Sequence, residues 1–189
     1  MTNVYLVRHA EAERDFETVI RPLTKKGLTD SEKVKNYLCD KNINVVISSD
    51  YRRCIETLSD FSNTIKIKIE KDIRFRERKR NSSFHLTDDD FKSLMGSLFA
   101  DFDYIPESGE ENLNELQDRS TFALKEILKK HNGKNIVIGT HISTMYAIMN
   151  KYDSIYGFCN FCDNFSKTPW VVKMSFDECI CKVIELINL

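Results

Sequence analysis

The sequence predicts an α/β fold, a three-layer sandwich in which a mostly parallel central sheet is flanked by helices. Short β-rich runs alternate along the chain with amphipathic helical stretches, which is typical of strands joined by helical crossovers. Two of the runs, residues 4–7 and 136–138, are apolar throughout, as expected for strands buried on both faces of a parallel sheet. The chain has 189 residues, so we expect a single domain over residues 1–189.

The individual elements follow from the period of the apolar residues. Strands are predicted over residues 3–7, 43–48, 65–69 and 135–139. Helices are predicted over residues 24–40, 51–61 and 110–131, where apolar side chains recur at helical spacing. In the run 65–69 isoleucine alternates with Lys66 and Lys68, so one face is charged and this strand is expected at a sheet edge.

Two further segments complete the prediction. Residues 78–106 are polar at first and helical around residues 91–99, and we expect them to form a cap or lid insertion over one end of the sheet. Residues 170–176 and 179–187, joined across Asp177 and Glu178, predict a terminal hairpin.

Composition narrows the class of protein. The charges are 28 Lys+Arg against 29 Asp+Glu, a net charge of −1, which argues against a chain that binds nucleic acid or an anionic membrane as a whole. The first apolar run, residues 4–7, is too short for a signal-peptide core or a membrane span. Six cysteines without such a signal indicate a reducing compartment. We therefore expect a cytoplasmic protein.

Charged residues follow three of the predicted strands. Arg8 and His9 come directly after the first strand, Arg53 lies five residues past the second, and His141 lies two residues past the fourth. Ligands of open α/β sheets bind beyond the carboxyl ends of the strands. Two histidines and two arginines are therefore expected to meet there.

Such a cluster has a chemical logic. A neutral imidazole is a nucleophile, and guanidinium groups present donors that match phosphate oxygens. These donors also stabilise the charge of a phosphoryl group during transfer. The chemistry needs a carboxyl group to protonate the leaving oxygen, and it requires no metal and no cofactor.

Six segments, in order along the chain, match a known family. They are residues 4–11, with Arg8 and His9; 23–27, at a helix start; 48–57, with Arg53; 72–78, with Glu77; 108–111, followed by Arg119; and 136–141, which end at His141. Together they resemble the histidine phosphatase superfamily, which also contains the cofactor-dependent phosphoglycerate mutases. The resemblance implies a phosphoglycerate mutase-like fold and the phosphatase branch of the family.

The resemblance also implies a catalytic cycle without metal or cofactor. His9 attacks phosphorus to form a phosphohistidine, while Glu77 protonates the leaving oxygen and then activates the hydrolytic water. Arg8, Arg53 and His141 hold the phosphoryl oxygens, and we expect His141 to do so as a protonated donor.

The sequence departs from the family at three positions. Ala10 and Ile142 stand where glycine is usual, and Asp15 stands where many members have an asparagine that touches phosphate. An ionised carboxylate repels phosphate, so Asp15 is assigned only a weak phosphate-binding role. The mutases are typically longer than this chain, which favours hydrolysis.

Alternative functions and partners stay open at this stage. One alternative is phosphoryl transfer of the phosphoglycerate mutase type, and another is a non-catalytic module that binds a phosphorylated ligand. The expected partner is a small phosphorylated metabolite or phosphoester substrate, with no nucleic acid and no membrane. A homodimer formed through a sheet edge also stays open.

Glu77 lies within a basic run that contains Arg74, Arg76, Arg78 and Arg80. In an extended segment the arginines share the face opposite Glu77, and we expect them to be solvated and to offset acidic neighbours. Pairing of Glu77 with its basic neighbours and a rim for a polyanionic substrate are the alternatives. Nucleic-acid binding is disfavoured because few aromatic residues lie within the run.

Four cysteines occur as two close pairs, Cys159 with Cys162 and Cys179 with Cys181. They could in principle form an all-cysteine zinc site, but the spacing of the second pair is unfavourable for one. We therefore expect these thiols to pack in the core.

Overall fold

The computed structural model describes residues 1–13, 19–81, 86–107 and 109–189. Within these ranges the strands are β1 (Thr2–Arg8), β2 (Val45–Ser48), β3 (Ile69–Lys71), β4 (Asn135–Thr140), β5 (Trp170–Asp177) and β6 (Ile180–Ile187). The helices are α1 (Lys25–Cys39), α2 (Arg52–Ile65), α3 (Asp88–Ala100), α4 (Leu113–Lys130), α5 (Ile142–Tyr152) and α6 (Phe158–Asn164), and Ile73–Phe75 form a 3₁₀ turn.

The strands form one sheet in the order β3-β2-β4-β1-β5-β6. The pairs β3–β2, β2–β4 and β4–β1 are parallel, whereas β5 runs antiparallel to β1 and β6 antiparallel to β5. The α/β fold with a mostly parallel sheet is therefore confirmed, and the terminal hairpin is the β5–β6 pair.

The sheet is covered on both faces, which gives the three layers. Val4 and Leu6 of β1 belong to one core cluster, together with side chains of α4 and α5. The alternate residues Tyr5 and Val7 belong to a second cluster with side chains of α1 and α2. The period-two alternation of β1 thus divides its apolar side chains between two buried layers.

The predicted strand at residues 65–69 is wrong in its position, although the sheet edge is correct. Helix α2 continues to Ile65 and ends at Lys66, whose φ of 57° is left-handed. The strand begins only at Ile69, and β3 is an edge strand. Because Ile65, Ile67 and Ile69 pack against the second cluster while the lysines point outward, a helix end gives the same alternation of exposure as a strand.

Helix α5 was not predicted, because its sequence lacks an amphipathic pattern. All residues from Ile142 to Met149 are buried, so no polar face marks the helical period. The helix begins directly after β4, which places its N-terminus at the carboxyl edge of the sheet.

The start of α1 fixes the chain that follows β1. Thr24 caps the helix by accepting from Gly27 N (2.9 Å), and its own N–H donates to Glu11 O (3.0 Å). A β-carbon at Gly27 would lie 2.0 Å from Glu11 O. Only glycine therefore permits this close approach, which ties the segment after β1 to α1.

The segment 78–106 contains α3, as its apolar residues predict. A capping box between Thr87 and Asp90 starts this helix, and its Phe99 ring packs 6.0 Å from the ring of Phe161 in α6, measured between centroids. None of the helices in the described ranges has the length and apolar character needed to cross a membrane.

Candidate active site

The carboxyl ends of three neighbouring strands meet at one edge of the sheet. β4 lies between β1 and β2, and all three are parallel. Hydrogen bonds extend the pairing past the strand ends, since His9 N donates to Thr140 O (3.2 Å) and Ser49 N donates to Gly139 O (2.8 Å). The residues that follow these strands are therefore held side by side, where ligands of such sheets bind.

His9 is oriented by the residue that follows it. Its Nδ1 lies 2.7 Å from the main-chain oxygen of Ala10. Because a carbonyl oxygen only accepts, the proton of a neutral ring sits on Nδ1, and Nε2 keeps its lone pair. Burial and the charges of Arg53 and Arg8 lower the pKa of His9 well below its usual value. The imidazole is therefore neutral near pH 7 and is able to act as a nucleophile.

Arg8 ends β1 and holds the loop that precedes β5. Its Nη1 donates to the carbonyl oxygens of Phe165 (2.6 Å) and Lys167 (2.7 Å). Burial lowers the pKa of Arg8 to about 10, with the charge of Glu77 opposing the shift, so the guanidinium stays charged at neutral pH. Its buried Nε has no hydrogen-bond partner among the described residues. A buried donor of this kind is suited to an anionic ligand.

Arg53 lies in the first turn of α2 and is only 4% exposed. Its Cζ lies 4.8 Å from the centroid of the Tyr51 ring, and Arg76, which pairs with Asp50 (2.5 Å), packs on the same ring at 5.4 Å. These cation–π contacts orient Arg53. Tyr51 was not predicted as a site residue from the sequence, although its place shortly after β2 was the available signal.

His141 is the N-cap of α5 and is fully buried. Its Nδ1 lies 3.1 Å from Arg53 Nη2, and its Nε2 lies 3.0 Å from the hydroxyl oxygen of Ser49. Since a guanidinium only donates, Nδ1 accepts from Arg53, and the ring proton sits on Nε2. Burial and Arg53 lower the pKa of His141 well below its usual value. In the absence of a ligand His141 is therefore neutral at neutral pH, and its protonation beside a bound anionic substrate stays a prediction.

The two histidines lie together, as the strand ends predict. Their ring centroids are 5.3 Å apart, in an edge-to-face arrangement. The Cys54 Sγ lies 3.4 Å from His141 Nε2 and donates to Thr140 O at 3.4 Å. Burial raises the pKa of Cys54 to about 12, so this group is a packed thiol and not a thiolate at neutral pH.

Glu77 follows the 3₁₀ turn, and main-chain N–H groups hold its carboxylate. Oε1 accepts from Arg78 N (2.8 Å), and Oε2 accepts from Ser143 N (3.4 Å) in the first turn of α5. The charge of Glu77 raises the pKa of Arg8 and so opposes the larger effect of burial. Glu77 therefore lies at the edge that holds Arg8, within electrostatic reach of it.

The arginines near Glu77 pair with other carboxylates. Arg74 pairs with Asp72 and Glu126, Arg76 with Asp50, and Arg78 with Glu110. The expectation that these arginines offset acidic residues is therefore confirmed for Arg74, Arg76 and Arg78, whereas a shared solvated face is wrong, because the side chain of Arg78 is 1% exposed. The 3₁₀ turn interrupts the extended period. The carboxylate oxygens of Glu77 accept from the main-chain N–H groups of Arg78 and Ser143.

Two other positions bear on the site. The charge of Arg21 contributes to the lowered pKa of His9, which adds a cation that the sequence analysis missed; its place just before the predicted helix start at 23–27 was the available signal. Asp15 lies outside the described residues.

The cysteine pairs do not come together as a metal site. Among the described residues, no group of three or more His, Cys, Asp or Glu side chains is arranged to hold a metal ion. Cys162, Cys179 and Cys181 instead pack against the first core cluster, whereas Cys159 is exposed on α6.

Comparison with known sequences gives one family. A family model described as the histidine phosphatase superfamily (branch 1) matches residues 4–156. Phosphoglycerate mutase-like protein 4 of Arabidopsis thaliana is 29% identical over 150 residues, which are 73% of this chain and 65% of that protein. Putative phosphoserine phosphatase 2 of Hydrogenobacter thermophilus is 23% identical over 158 residues, 79% of this chain and 77% of that one. The match thus spans just under two thirds of the Arabidopsis protein.

Solved structures have the same fold. Phosphoserine phosphatase from Entamoeba histolytica, in complex with 3-phosphoglyceric acid, superposes with a TM-score of 0.81 at 15% identity, over 100% of this chain and 98% of that one. Bacillus stearothermophilus YhfR superposes with a TM-score of 0.75 at 23% identity, over 97% and 95% of the two chains.

Proposed function

Because the chain belongs to the histidine phosphatase superfamily, we propose that it hydrolyses phosphomonoesters through a phosphohistidine intermediate on His9, without a metal or other cofactor. Arg8, Arg53 and His141 bind the transferring phosphoryl group, and Glu77 is the general acid and base. The conclusion depends above all on the state of His9. This imidazole is neutral, and its Nδ1–H donates to Ala10 O.

The surrounding charges favour an anionic ligand. Burial is the largest cause of the lowered pKa of His9, and the charges of Arg53 and Arg8 lower it further. They therefore destabilise the imidazolium and attract a phosphoryl group at the same time. The Nε donor of Arg8 gains in the complex the partner that it lacks among the described residues.

In the first step the His9 Nε2 lone pair attacks phosphorus, and the bond from phosphorus to the leaving oxygen breaks. Glu77, in its protonated form, gives its proton to that oxygen, so an alcohol leaves rather than an alkoxide. The His9 Nδ1 proton stays on Nδ1 throughout, hydrogen-bonded to Ala10 O. The products of this step are the free alcohol, phosphohistidine and the Glu77 carboxylate.

In the second step Glu77 takes a proton from water, and the water oxygen attacks phosphorus. The phosphorus–nitrogen bond breaks, its electron pair returns to Nε2, and inorganic phosphate leaves. Glu77 is again protonated, so the cycle closes with one phosphoester and one water consumed. In the absence of a ligand, the Nδ1 of His141 orients Arg53.

The substrate is a small phosphorylated metabolite or a similar phosphoester. Two relatives have names or titles that refer to phosphoserine or 3-phosphoglyceric acid, which supports this size class. We further propose residues 78–106 as the cap over the site, since the charge of Asp88, at the start of α3 in this segment, raises the pKa of Arg8 against the effect of burial. A weak phosphate contact from Asp15 is also part of the proposal.

The test is hydrolysis of p-nitrophenyl phosphate, with a chelator present, by the wild type and by His9→Ala. We expect turnover by the wild type, a loss of about 10³-fold or more in His9→Ala, and a 32P-labelled, acid-labile adduct on the wild type only. Equal rates for the two proteins contradict the proposal. Conversion of 3-phosphoglycerate to 2-phosphoglycerate with little phosphate release, dependent on a bisphosphoglycerate primer, assigns mutase activity instead. Phosphate binding without any turnover assigns the binding module.

A further inference from the structure

We propose that Arg119, held by Glu111, is a positioning residue for Glu77. It fixes the main chain at Glu77 and so places the carboxyl group against the leaving oxygen. This inference rests on the proposed function, in which Glu77 is the general acid.

The guanidinium of Arg119 reaches from α4 to the segment that ends at Glu77. Its Nη1 donates to the carbonyl oxygen of Arg74 (2.7 Å), and its Nη2 donates to the carbonyl oxygen of Glu77 itself (3.1 Å). One planar group thus binds both ends of residues 74–77. Because the donors of a guanidinium have fixed directions, the two contacts define where Glu77 lies relative to α4.

Glu111 locks this guanidinium from the other side. Its carboxylate accepts from Arg119 Nε (2.5 Å) and Nη2 (2.8 Å), which is a bidentate pair. The side chains are only 25% and 11% exposed, so the pair is largely shielded from solvent. Glu111 also exchanges two hydrogen bonds with Lys79, accepting from its N–H and donating to its carbonyl oxygen, each at 3.0 Å. The chain is therefore held on both sides of Glu77.

The contacts separate position from proton transfer. Arg119 binds the main-chain oxygen of Glu77, whereas the carboxylate of Glu77 is bound by the N–H groups of Arg78 and Ser143. The positive charge of Arg119 is paired with Glu111, and it is a lesser cause of the lowered pKa of His141, after burial, Arg53 and His9. The role proposed for Arg119 is to place Glu77, and a displacement of about 1 Å in a catalytic group costs up to roughly 10²-fold in rate.

A leaving-group comparison distinguishes this role from general stabilisation of the fold. Phenyl phosphate and p-nitrophenyl phosphate have nearly the same shape, but phenoxide is the poorer leaving group and depends more on a general acid. A misplaced Glu77 therefore slows phenyl phosphate selectively. Loss of folded enzyme slows both esters by the same factor.

The experiment measures kcat/KM for both esters in Arg119→Ala, with Glu77→Gln as the benchmark and Lys125→Ala as a matched control on the exposed face of α4. We expect Arg119→Ala to lose roughly 10- to 100-fold on phenyl phosphate and at most about threefold on p-nitrophenyl phosphate. Glu77→Gln also loses more activity on phenyl phosphate than on p-nitrophenyl phosphate, and the difference between the two losses is larger than in Arg119→Ala. Adding Arg119→Ala to Glu77→Gln causes no further loss, because Arg119 acts through Glu77. Lys125→Ala behaves as the wild type.

Two milder variants keep the test decisive if Arg119→Ala does not fold. Arg119→Lys keeps the ion pair with Glu111 but cannot bind both carbonyl oxygens, and Glu111→Gln removes the charge that holds the guanidinium. Both variants should again lose more activity on phenyl phosphate than on p-nitrophenyl phosphate, but by a smaller factor than Arg119→Ala. Equal losses on the two esters, or additive losses with Glu77→Gln, overturn the positioning role while leaving the phosphatase activity in place. A wild type that hydrolyses neither ester removes both proposals.

Discussion

The buried histidines make the stability of the protein depend on pH. His9 and His141 have pKa values well below the usual value when folded, because burial and the active-site arginines disfavour the imidazolium. The unfolded chain titrates near pH 6.5. Below that pH the unfolded state binds more protons than the folded state, so the free energy of unfolding falls on acidification. The stability is present above pH 6.5 and is lost below it.

The size of the effect follows from the number of protons. Between pH 7.5 and 5.5, one histidine that stays neutral in the folded state costs about 1.4 kcal/mol, and two cost about 2.7 kcal/mol. His141→Gln removes one titrating group while its amide oxygen can still accept from Arg53. The loss in the free energy of unfolding between pH 7.5 and 5.5 should therefore be about 1.4 kcal/mol smaller in His141→Gln than in the wild type.

The assay is urea unfolding at both pH values, at constant ionic strength and without phosphate, which would bind the folded state. His131→Gln is the control, since this residue lies partly exposed at the end of α4 and has a lowered pKa with burial as its main cause. His131→Gln should change the pH dependence of the free energy of unfolding less than His141→Gln does. A His141→Gln variant with the same pH-dependent loss as the wild type would refute a neutral His141 in the folded protein.

Two further changes test the frame of the site. Gly27→Ala should lower the free energy of unfolding in urea by about 2 kcal/mol or more, because its β-carbon would meet Glu11 O. The control Asn36→Ala, on the exposed face of α1, should leave the free energy of unfolding unchanged. Equal unfolding midpoints for the two variants would contradict the close approach of Gly27 to Glu11. Arg8→Gln should lower kcat/KM for p-nitrophenyl phosphate by about 10²- to 10³-fold and weaken inhibition by inorganic phosphate. Unchanged phosphate inhibition would remove Arg8 from the phosphate site.

The central strands and the amphipathic helices were predictable because their apolar residues follow a regular pattern. Residues 4–7 of β1 and 136–138 of β4 are apolar, and α1 begins and ends where its capping residues Thr24 and Asp40 indicate. The prediction failed at α5, which is buried all round, and at residues 65–69, where a helix end exposes the same lysines as a strand would. In these two cases the exposure pattern that marks an element is absent or shared by two structures. Helix α6, with only seven residues, was also missed.

The cluster of His9, Arg8, Arg53 and His141 was predictable because parallel strands bring their carboxyl ends together. The protonation states of these groups were not predictable from the sequence. Protonation of His141 is predicted beside an anionic ligand, whereas without one Arg53 donates to its Nδ1 and burial lowers its pKa. Protonation depends on neighbours that lie far away in the sequence.

The sequence by itself determined the α/β fold, the family and the residues that line the edge of the sheet, because these depend on local period and on strand order. Only the tertiary structure decided which carboxylate each arginine binds, and therefore which carboxylate is left to main-chain donors. Arg76, Arg78 and Arg119 pair with Asp50, Glu110 and Glu111, and the Glu77 carboxylate is bound by N–H groups of Arg78 and Ser143. An ion pair forms where folding brings two charges within a few ångströms, and neighbours in the sequence have no priority over residues that packing brings together.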